Sequence, residues 1–178
     1  MKKWIVLFSQ TGSEVVDLAL HFDRWPDIIV TSNSDVSKWH PQIRELHERG
    51  LSSFSGISRI KVVTNIDSFI TLHGWLRIVP ESICNMYTIY NGHPGLITEY
   101  PELKGKDPQE RMFNTGNYTY YGSVVHKVVP EVDSGEIVSE VKRFNTMKTL
   151  DEVYTGLKST SLSAWIDFLQ TTDIIKRC

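Results

Sequence analysis

The sequence predicts an α/β fold: a mostly parallel, twisted sheet with helices on both faces, extended at the C-terminal end by a pair of strands that resembles a β-hairpin. Short apolar runs of strand length alternate with segments of helical periodicity along the first half of the chain. Glycine, proline and small polar residues separate these runs. The 178 residues show no internal repeat and no linker-like stretch, so we expect one domain over residues 1–178.

The first half predicts the order β-α-β-α-β, in which right-handed crossovers join parallel strands. Apolar, β-prone runs indicate strands at residues 4–8, 27–31, 59–64, 68–72 and 87–90. Apolar residues at helical spacing indicate helices at 14–22, 42–49 and 76–84. Gly50 is expected to end the second helix, and Pro80 to interrupt the third.

The second half predicts a loop, a short helix, two strands and a long helix. The loop covers residues 96–105 and the short helix 108–113, where Asp107 and Glu110 resemble a capping box. The strands, at 123–129 and 136–144, are joined by residues 130–135 as in a hairpin. Thr149, which is followed closely by two acidic residues, is expected to start the last helix.

Composition and charge argue against several classes of protein. A net charge of −2 gives no general attraction for nucleic acid, so no large nucleic-acid footprint is expected. No apolar stretch reaches the length of a membrane span, and Cys84 and Cys178 do not make a disulfide framework. The six histidines lack the spacing of metal ligands, so no metal is expected. We expect a cytoplasmic protein, and the sequence leaves a homodimer open.

The turn between the first strand and the first helix is a candidate anion site. Thr11, Gly12 and Ser13 precede the helix, and backbone amides at a helix N-terminus attract phosphate. The turn lacks the Gly-Lys-Ser/Thr of the triphosphate-binding loop, and a plain turn with Ser13 as N-cap is the simpler explanation. Glu14, in the first helical turn, would repel a nearby phosphate and is suited to meet a substrate amine.

Asn91, His93 and Asp133 are candidate catalytic residues. Side chains two apart on a strand share a face, so Asn91 and His93 are expected to point into one pocket at the end of a parallel strand. An amide, an imidazole and a carboxylate can polarise a carbonyl and move a proton. Each residue also has a simpler explanation when taken alone. Asn91-Gly92 is a hairpin-turn signal, a single histidine is usually structural, and Asp133 suits a turn.

Several segments, taken in order, carry a family resemblance. They are residues 6–13 (VLFSQTGS), 29–33 (IVTSN), 73–80 (HGWLRIVP), 91–94 (NGHP), 122–126 (GSVVH) and 132–138 (VDSGEIV). Each segment alone is weak, but the ordered set resembles the folate-dependent formyltransferases, most closely the phosphoribosylglycinamide formyltransferase type. The resemblance covers residues 4–170, which is essentially the whole predicted domain.

The resemblance implies transfer of a formyl group from 10-formyltetrahydrofolate to a primary amine of a small phosphorylated or nucleotide-like substrate. Asn91 and a protonated His93 would stabilise the oxyanion of the tetrahedral intermediate, while Asp133 would raise the pKa of His93 and assist proton transfer. The folate would lie against Arg77, Ile78, Val79, Val132, Ser134 and Gly135. The amine substrate would approach Thr11, Gly12, Ser13 and Glu14.

Three residues depart from the pattern of this family. Gly92 replaces a larger residue, Gly95 begins an altered loop, and Glu14 replaces a frequent Asn. These changes leave the amine open, and a nucleotide-linked amino sugar or a modified nucleotide is an alternative acceptor. A non-catalytic folate- or nucleotide-binding module is the alternative outside enzymes. The sequence contains no counterpart of the additional domains of tRNA-formylating enzymes and formyltetrahydrofolate hydrolases, so neither activity is expected.

Overall fold

Residues 2–49, 53–55 and 68–172 are described by a computed structural model, and within them seven strands form a single sheet. The strands are β1 (Lys3–Phe8), β2 (Ile28–Thr31), β3 (Ser53–Ser55), β4 (Ser68–His73), β5 (Ile89–His93), β6 (Tyr120–Lys127) and β7 (Ile137–Phe144). Their spatial order is β3-β2-β1-β4-β5-β6-β7. Neighbouring strands among β1 to β5 pair in parallel. Strand β6 pairs antiparallel with β5, and β7 pairs antiparallel with β6. The predicted α/β class and the C-terminal strand pair are confirmed.

The described residues contain five α-helices and two single-turn 3-10 helices at Val36–Lys38 and Pro101–Leu103. The α-helices are α1 (Ser13–Phe22), α2 (Pro41–Glu48), α3 (Glu81–Cys84), α4 (Pro108–Thr115) and α5 (Leu150–Thr171). The start of α5 is the one that the sequence indicates most directly. Thr149 accepts a hydrogen bond from the Glu152 amide while the Glu152 side chain accepts from the Thr149 amide, which makes a capping box.

The two faces of the sheet have separate cores, because successive side chains of a strand point to opposite sides. On β1, Trp4, Val6 and Phe8 pack beneath α1 and α5. Ile5 and Leu7 point to the other face, where the buried partners include residues of β2 and β4 and those next to and within α3. All five are fully buried, and such a side chain contributes about 1.5–3 kcal/mol when it leaves water. The sheet is therefore covered on both faces.

Three local predictions differ from the structure. Residues 76–80 are not helical and α3 begins only at Glu81, because the residue before a proline is sterically biased away from helical geometry. Asp107 does not form a capping box: its φ is 53° and its side chain makes no cap, while the Glu110 carboxylate contacts Tyr154 instead. Gly12, with φ 74°, is the N-cap of α1, and Ser13 is the first helical residue.

Other predictions lie outside the described residues. They are the strand at 59–64, the helix end at Gly50 and the state of Cys178. Cys84 is described, and it is a free thiol.

Candidate active site

A cleft of about 950 Å³ lies at the carboxyl ends of the parallel strands, where open α/β sheets bind ligands. Most of the predicted site residues line it: Thr11, Gly12, Ser13, Glu14, Arg77, Ile78, Val79, Asn91, His93, Val132 and Asp133. Two predicted folate contacts, Ser134 and Gly135, follow Asp133 in the same loop but are not among the described lining residues. One cavity thus brings together segments that are far apart in sequence.

Asp133 is the centre of the polar network in this cleft. Its Oδ2 lies 3.3 Å from Nδ1 of His93 and accepts a hydrogen bond of 2.7 Å from the Gly105 amide. Its Oδ1 lies 3.2 Å from Nε2 of His126. That same nitrogen is 3.1 Å from Nδ2 of Asn91. Asn91, His93 and Asp133 are therefore joined as predicted, but Asn91 reaches Asp133 through a fourth residue.

His126 is the member of this network that sequence reasoning missed. It is 2% exposed and lies directly opposite Asn91 in the antiparallel register of β5 and β6. Its Nδ1 donates to the Lys127 carbonyl at 3.0 Å, so Nε2 faces the site. Nε2 lies within hydrogen-bond distance of both the Asn91 amide and the Asp133 carboxylate, so His126 connects these two side chains.

The Asp133 carboxyl is strongly biased towards its ionised form. Burial alone would raise its pKa, but the hydrogen bond from His126, the charge of His93 and the Gly105 amide together lower the pKa to about 2. The backbone at Asp133 has φ 47°, in the left-handed region that non-glycine residues seldom adopt. Such strain is characteristic of functional sites, where the surrounding contacts hold a residue in place.

Asp133 raises the pKa of His93 as expected, but the net shift of that pKa is downward. The ring is 5% exposed, and this burial is the largest effect and lowers the pKa. Asp133 and the Leu103 carbonyl, which lies 2.9 Å from Nε2, act in the opposite direction, whereas His126 and Arg111 lower the pKa further. The net direction is downward because burial penalises the charged imidazolium more than these two acceptors stabilise it.

A second carboxylate–imidazole pair lies at the other end of the cleft. Glu14 Oε2 is 2.8 Å from Nδ1 of His73, and Glu14 Oε1 accepts a hydrogen bond of 2.6 Å from Ser161. His73 Nε2 is in turn 2.8 Å from the Thr71 hydroxyl, which accepts from the Trp4 indole at 2.9 Å. Each oxygen of Glu14 thus already has a protein partner, and the pair connects α1, β4 and α5.

Large apolar side chains remain exposed where the folate was predicted to lie. Ile78 is 76% exposed and Val132 is 56% exposed, and both line the cleft. Val79, by contrast, is buried in the core next to α3. Exposed apolar surface along a cleft wall is typical of a site that covers an apolar ligand.

The comparison with known families decides the relationship of the chain. The family described as "Formyl transferase" matches residues 33–167, and this range includes all the members of the Asp133 network. The chain belongs to the formyl transferase family.

Two relatives are at least 30% identical to the chain over the aligned residues. The phosphoribosylglycinamide formyltransferase of Dictyostelium discoideum is 30% identical over 132 residues, which are 65% of this chain and 63% of that protein. The trifunctional purine biosynthetic protein adenosine-3 of Homo sapiens is 31% identical over 169 residues, which are 83% of this chain and 16% of that protein. The chain thus spans less than two thirds of the length of either relative.

Solved structures of other formyl transferase relatives share the fold. A phosphoribosylglycinamide formyltransferase from Anaplasma phagocytophilum has a TM-score of 0.78 at 21% identity, covering 94% of this chain and 84% of that one. The enzyme of the same description from Streptococcus pneumoniae has a TM-score of 0.77 at 17% identity, with 97% and 99% covered. A formyltetrahydrofolate deformylase from Pseudomonas syringae has 0.73 at 16%, with 95% and 60% covered. The fold alone therefore does not choose the formyl acceptor.

Close packing accounts for both of the glycines that depart from the family pattern, Gly92 and Gly95. A Cβ added at Gly92 would overlap Nε1 of Trp165, whose fully buried ring fills the floor beneath the strand. A Cβ at Gly95 would lie 3.2 Å from Nε2 of His93 and 3.4 Å from Leu103. Gly95 therefore leaves room for Leu103 to approach the His93 ring.

Two further properties concern only the part of the chain that the structure describes. There, His, Cys, Asp and Glu side chains do not form a group of three or more with the geometry to hold a metal ion. None of the described helices combines the length and apolar character that crossing a membrane requires.

Proposed function

We propose that this protein transfers a formyl group from 10-formyltetrahydrofolate to a primary amine of a small phosphorylated or nucleotide-like substrate. The observation that supports it most is the convergence of Asn91, His93, His126 and Asp133 at one cleft in a chain of the formyl transferase family. The amine nitrogen attacks the formyl carbon, and the bond from that carbon to the folate nitrogen breaks. The amine loses a proton and the departing folate nitrogen gains one, so the site needs groups that hold a developing oxyanion and relay a proton.

Asn91, His93 and Asp133 suit these two tasks. The Asn91 amide has two hydrogens, so one can bond His126 while the other faces the reacting oxygen. A donor aimed at a developing oxyanion contributes about 3–4 kcal/mol to the transition state. His93 donates Nε2–H to Leu103 in the free protein, and the reacting oxygen would compete with this carbonyl. Burial disfavours the protonated form of His93 and lowers its pKa, so an imidazolium formed here is the stronger acid and gives its proton to negative charge that develops beside it.

The two ends of the cleft suit two substrates. The exposed side chains of Ile78 and Val132 would cover the apolar part of the folate, with Arg77 beside them. At the other end, the amides of Gly12 and Ser13 would meet an anionic group of the amine substrate, which would take the place of the Thr11 hydroxyl that accepts from Ser13 at 3.3 Å.

Two side chains add to the acceptor end. Lys158 lines the cleft and places a cation at this wall, where its Nζ also forms an ion pair with Asp17 at 3.7 Å. Glu14 would accept a hydrogen bond from the amine substrate through a lone pair that His73 and Ser161 leave free.

Turnover with a panel of amines tests this function. The purified protein is incubated with 10-formyltetrahydrofolate and either glycinamide ribonucleotide, a nucleotide-linked amino sugar or a modified nucleotide bearing an amine, and release of tetrahydrofolate is followed. We expect amine-dependent release by the wild type and a large loss in His93→Ala. A reaction without amine, in which formate is measured, detects hydrolysis instead.

The outcomes separate the alternatives. Absence of turnover above His93→Ala for every amine would contradict transfer. Folate-dependent thermal stabilisation without any turnover would instead support a non-catalytic binding module. A preference for the amino sugar or the modified nucleotide over glycinamide ribonucleotide would identify an acceptor outside the chemistry named in the Dictyostelium relative.

A further inference from the structure

A short peptide segment, residues 102–105, contacts both members of the His93–Asp133 pair. The Leu103 carbonyl accepts from Nε2 of His93 at 2.9 Å. The Gly105 amide donates to Oδ2 of Asp133 at 2.7 Å. Both contacts come from backbone groups, so the positions of the imidazole and the carboxylate depend on how this segment is held.

Arg111, on α4, holds the segment through three consecutive carbonyls. Its Nη1 donates to the Glu102 carbonyl at 2.7 Å. Its Nη2 donates to the carbonyls of Leu103 at 3.1 Å and Lys104 at 2.8 Å. A guanidinium presents its donors in a rigid planar fork, which a single ammonium group does not reproduce. Arg111 thus fixes the peptide groups that immediately precede Gly105.

Arg111 and His93 share one acceptor. Both donate to the Leu103 carbonyl, and the positive charge of Arg111 contributes to the lowered pKa of His93. Arg111 is not among the described residues that line the cleft. Any influence on the reaction must therefore pass through the segment and through its charge, without contact with substrate.

We propose that Arg111 is a positioning residue, which sets the geometry of the His93–Asp133 pair through residues 102–105. It orients His93 by presenting the Leu103 carbonyl, and it orients Asp133 by placing the Gly105 amide. The effect on turnover rests on the proposed function, whereas the effect on His93 itself does not. The sequence gives no indication of it, since Arg111 lies 18 residues beyond His93 on a different element.

The test compares Arg111→Lys and Arg111→Gln with Arg143→Lys, a matched change on β7 whose guanidinium bonds Ser159 at 3.4 Å. NMR titration of the His93 ring gives its pKa, and kinetics give kcat and KM. Arg111→Lys keeps the charge but loses the fork, so the weakened Leu103 contact lowers the pKa of His93 further. We expect kcat to fall about 10- to 100-fold in Arg111→Lys through misplacement of the pair. KM for folate should change by less than about threefold, because Arg111 does not line the cleft and its replacement leaves the binding of the ground-state substrate unchanged.

The outcomes for the His93 pKa, kcat and thermal unfolding either support the positioning role of Arg111 or overturn it. A lower His93 pKa in Arg111→Lys, with Arg143→Lys like the wild type, supports the positioning role even if no amine is turned over. A His93 pKa and kcat that match the wild type in both Arg111 variants would overturn it. Loss of cooperative thermal unfolding in both variants would also overturn it, because Arg111 would then maintain the fold rather than the site. Absence of turnover by the wild-type protein would count against the proposed function alone.

Discussion

The cleft contains two carboxylate–imidazole pairs with buried histidines, and the pairs differ in the partners of the carboxylate. At one end Asp133 lies between His93 and His126, on strained backbone, with its pKa lowered to about 2. At the other end Glu14 lies on regular helix, with one oxygen bonded to His73 and the other to Ser161. The first network joins one carboxylate to two imidazoles and to the Asn91 amide, whereas the second joins one carboxylate to one imidazole and connects three elements of the fold.

The difference shows that residue types alone do not identify a catalytic pair. Both pairs combine an acid with a histidine, and both line the same cleft. What distinguishes Asp133 is its position between two imidazoles, one of which also contacts an amide that can polarise a carbonyl. We therefore expect substitutions at the Asp133 pair to change kcat, and substitutions at the Glu14 pair to change KM for the amine.

The largest expected effect is that of Asp133→Asn. Asparagine tolerates the left-handed φ of 47° and keeps the size of the side chain, so the change removes mainly the charge. Loss of the partner of His93 and His126 should lower kcat about 10³-fold, as for other proton-transfer groups. Steady-state kinetics with saturating folate and amine measure it.

The comparison residue and a control accompany this measurement. Glu14→Gln is expected to raise KM for the amine more than it lowers kcat. Glu140→Gln removes an exposed carboxylate that accepts from Thr98, and should leave both constants unchanged. A Glu14→Gln variant that lost as much kcat as Asp133→Asn would show that the two pairs do not differ in the way proposed.

A smaller loss is expected for His126→Phe. Phenylalanine fills the buried space but cannot contact Asn91 or Asp133, so the Asn91 amide loses the partner that orients it. We expect kcat to fall about 10- to 100-fold, the loss that corresponds to about 1.4–2.7 kcal/mol of transition-state stabilisation. The kcat of His126→Gln, whose side chain keeps a hydrogen-bond donor, should lie between the kcat of the wild type and that of His126→Phe. Equal kcat in the wild type and His126→Phe would remove His126 from the network.

The sequence predicted the parts of the site that depend on local order. Asn91 and His93 share a strand face by the two-residue period, and β5 does end at His93. The role of His126 depends on which residue of β6 pairs with Asn91, and strand register across a 35-residue separation is not a local property.

The contacts of the Glu14–His73 pair could not be predicted from the sequence either, because they also join residues that are far apart in the chain. Glu14 meets His73 across 59 residues and Ser161 across 147 residues. The upward effect of Asp133 on the pKa of His93 was predicted, but the larger downward effect of burial becomes visible only once the strands, the loop and Gly95 are packed together. Sequence order therefore predicted Asn91, His93 and Asp133 as candidates, whereas the place of His126 and the burial and pairing of these side chains required the fold.

Gly92 lies between Asn91 and His93, and its substitution tests how tightly β5 packs against Trp165. Gly92→Ala places a methyl group against Trp165, and overpacking of this kind costs about 1–3 kcal/mol of unfolding free energy. Within the described residues the Trp165 Nε1 has no hydrogen-bond partner, so Trp165→Phe loses no such bond. Urea denaturation of both single variants and the double variant gives the coupling.

The double variant shows whether contact with Trp165 causes the loss of stability in Gly92→Ala. Trp165→Phe removes the atom that the added methyl group meets, so the second change should partly rescue Gly92→Ala. Simple additivity of the two losses would mean that the cost of Gly92→Ala arises from the strand backbone and not from the Trp165 contact.

The smallest expected effect concerns acid stability. The folded pKa of Asp133 is about 2, below the usual 3.8, so its ionised form favours the folded state above pH 4 and this contribution disappears as the pH falls towards 2. It amounts to at most about 2 kcal/mol, and less after solvent screening. His93, whose pKa is lowered, acts in a separate window, because the unfolded state takes up its proton more readily below about pH 6.5. Urea midpoints of the wild type and Asp133→Asn should therefore differ at pH 5 and converge near pH 2, while a constant difference across this range would show that the charge of Asp133 does not stabilise the fold.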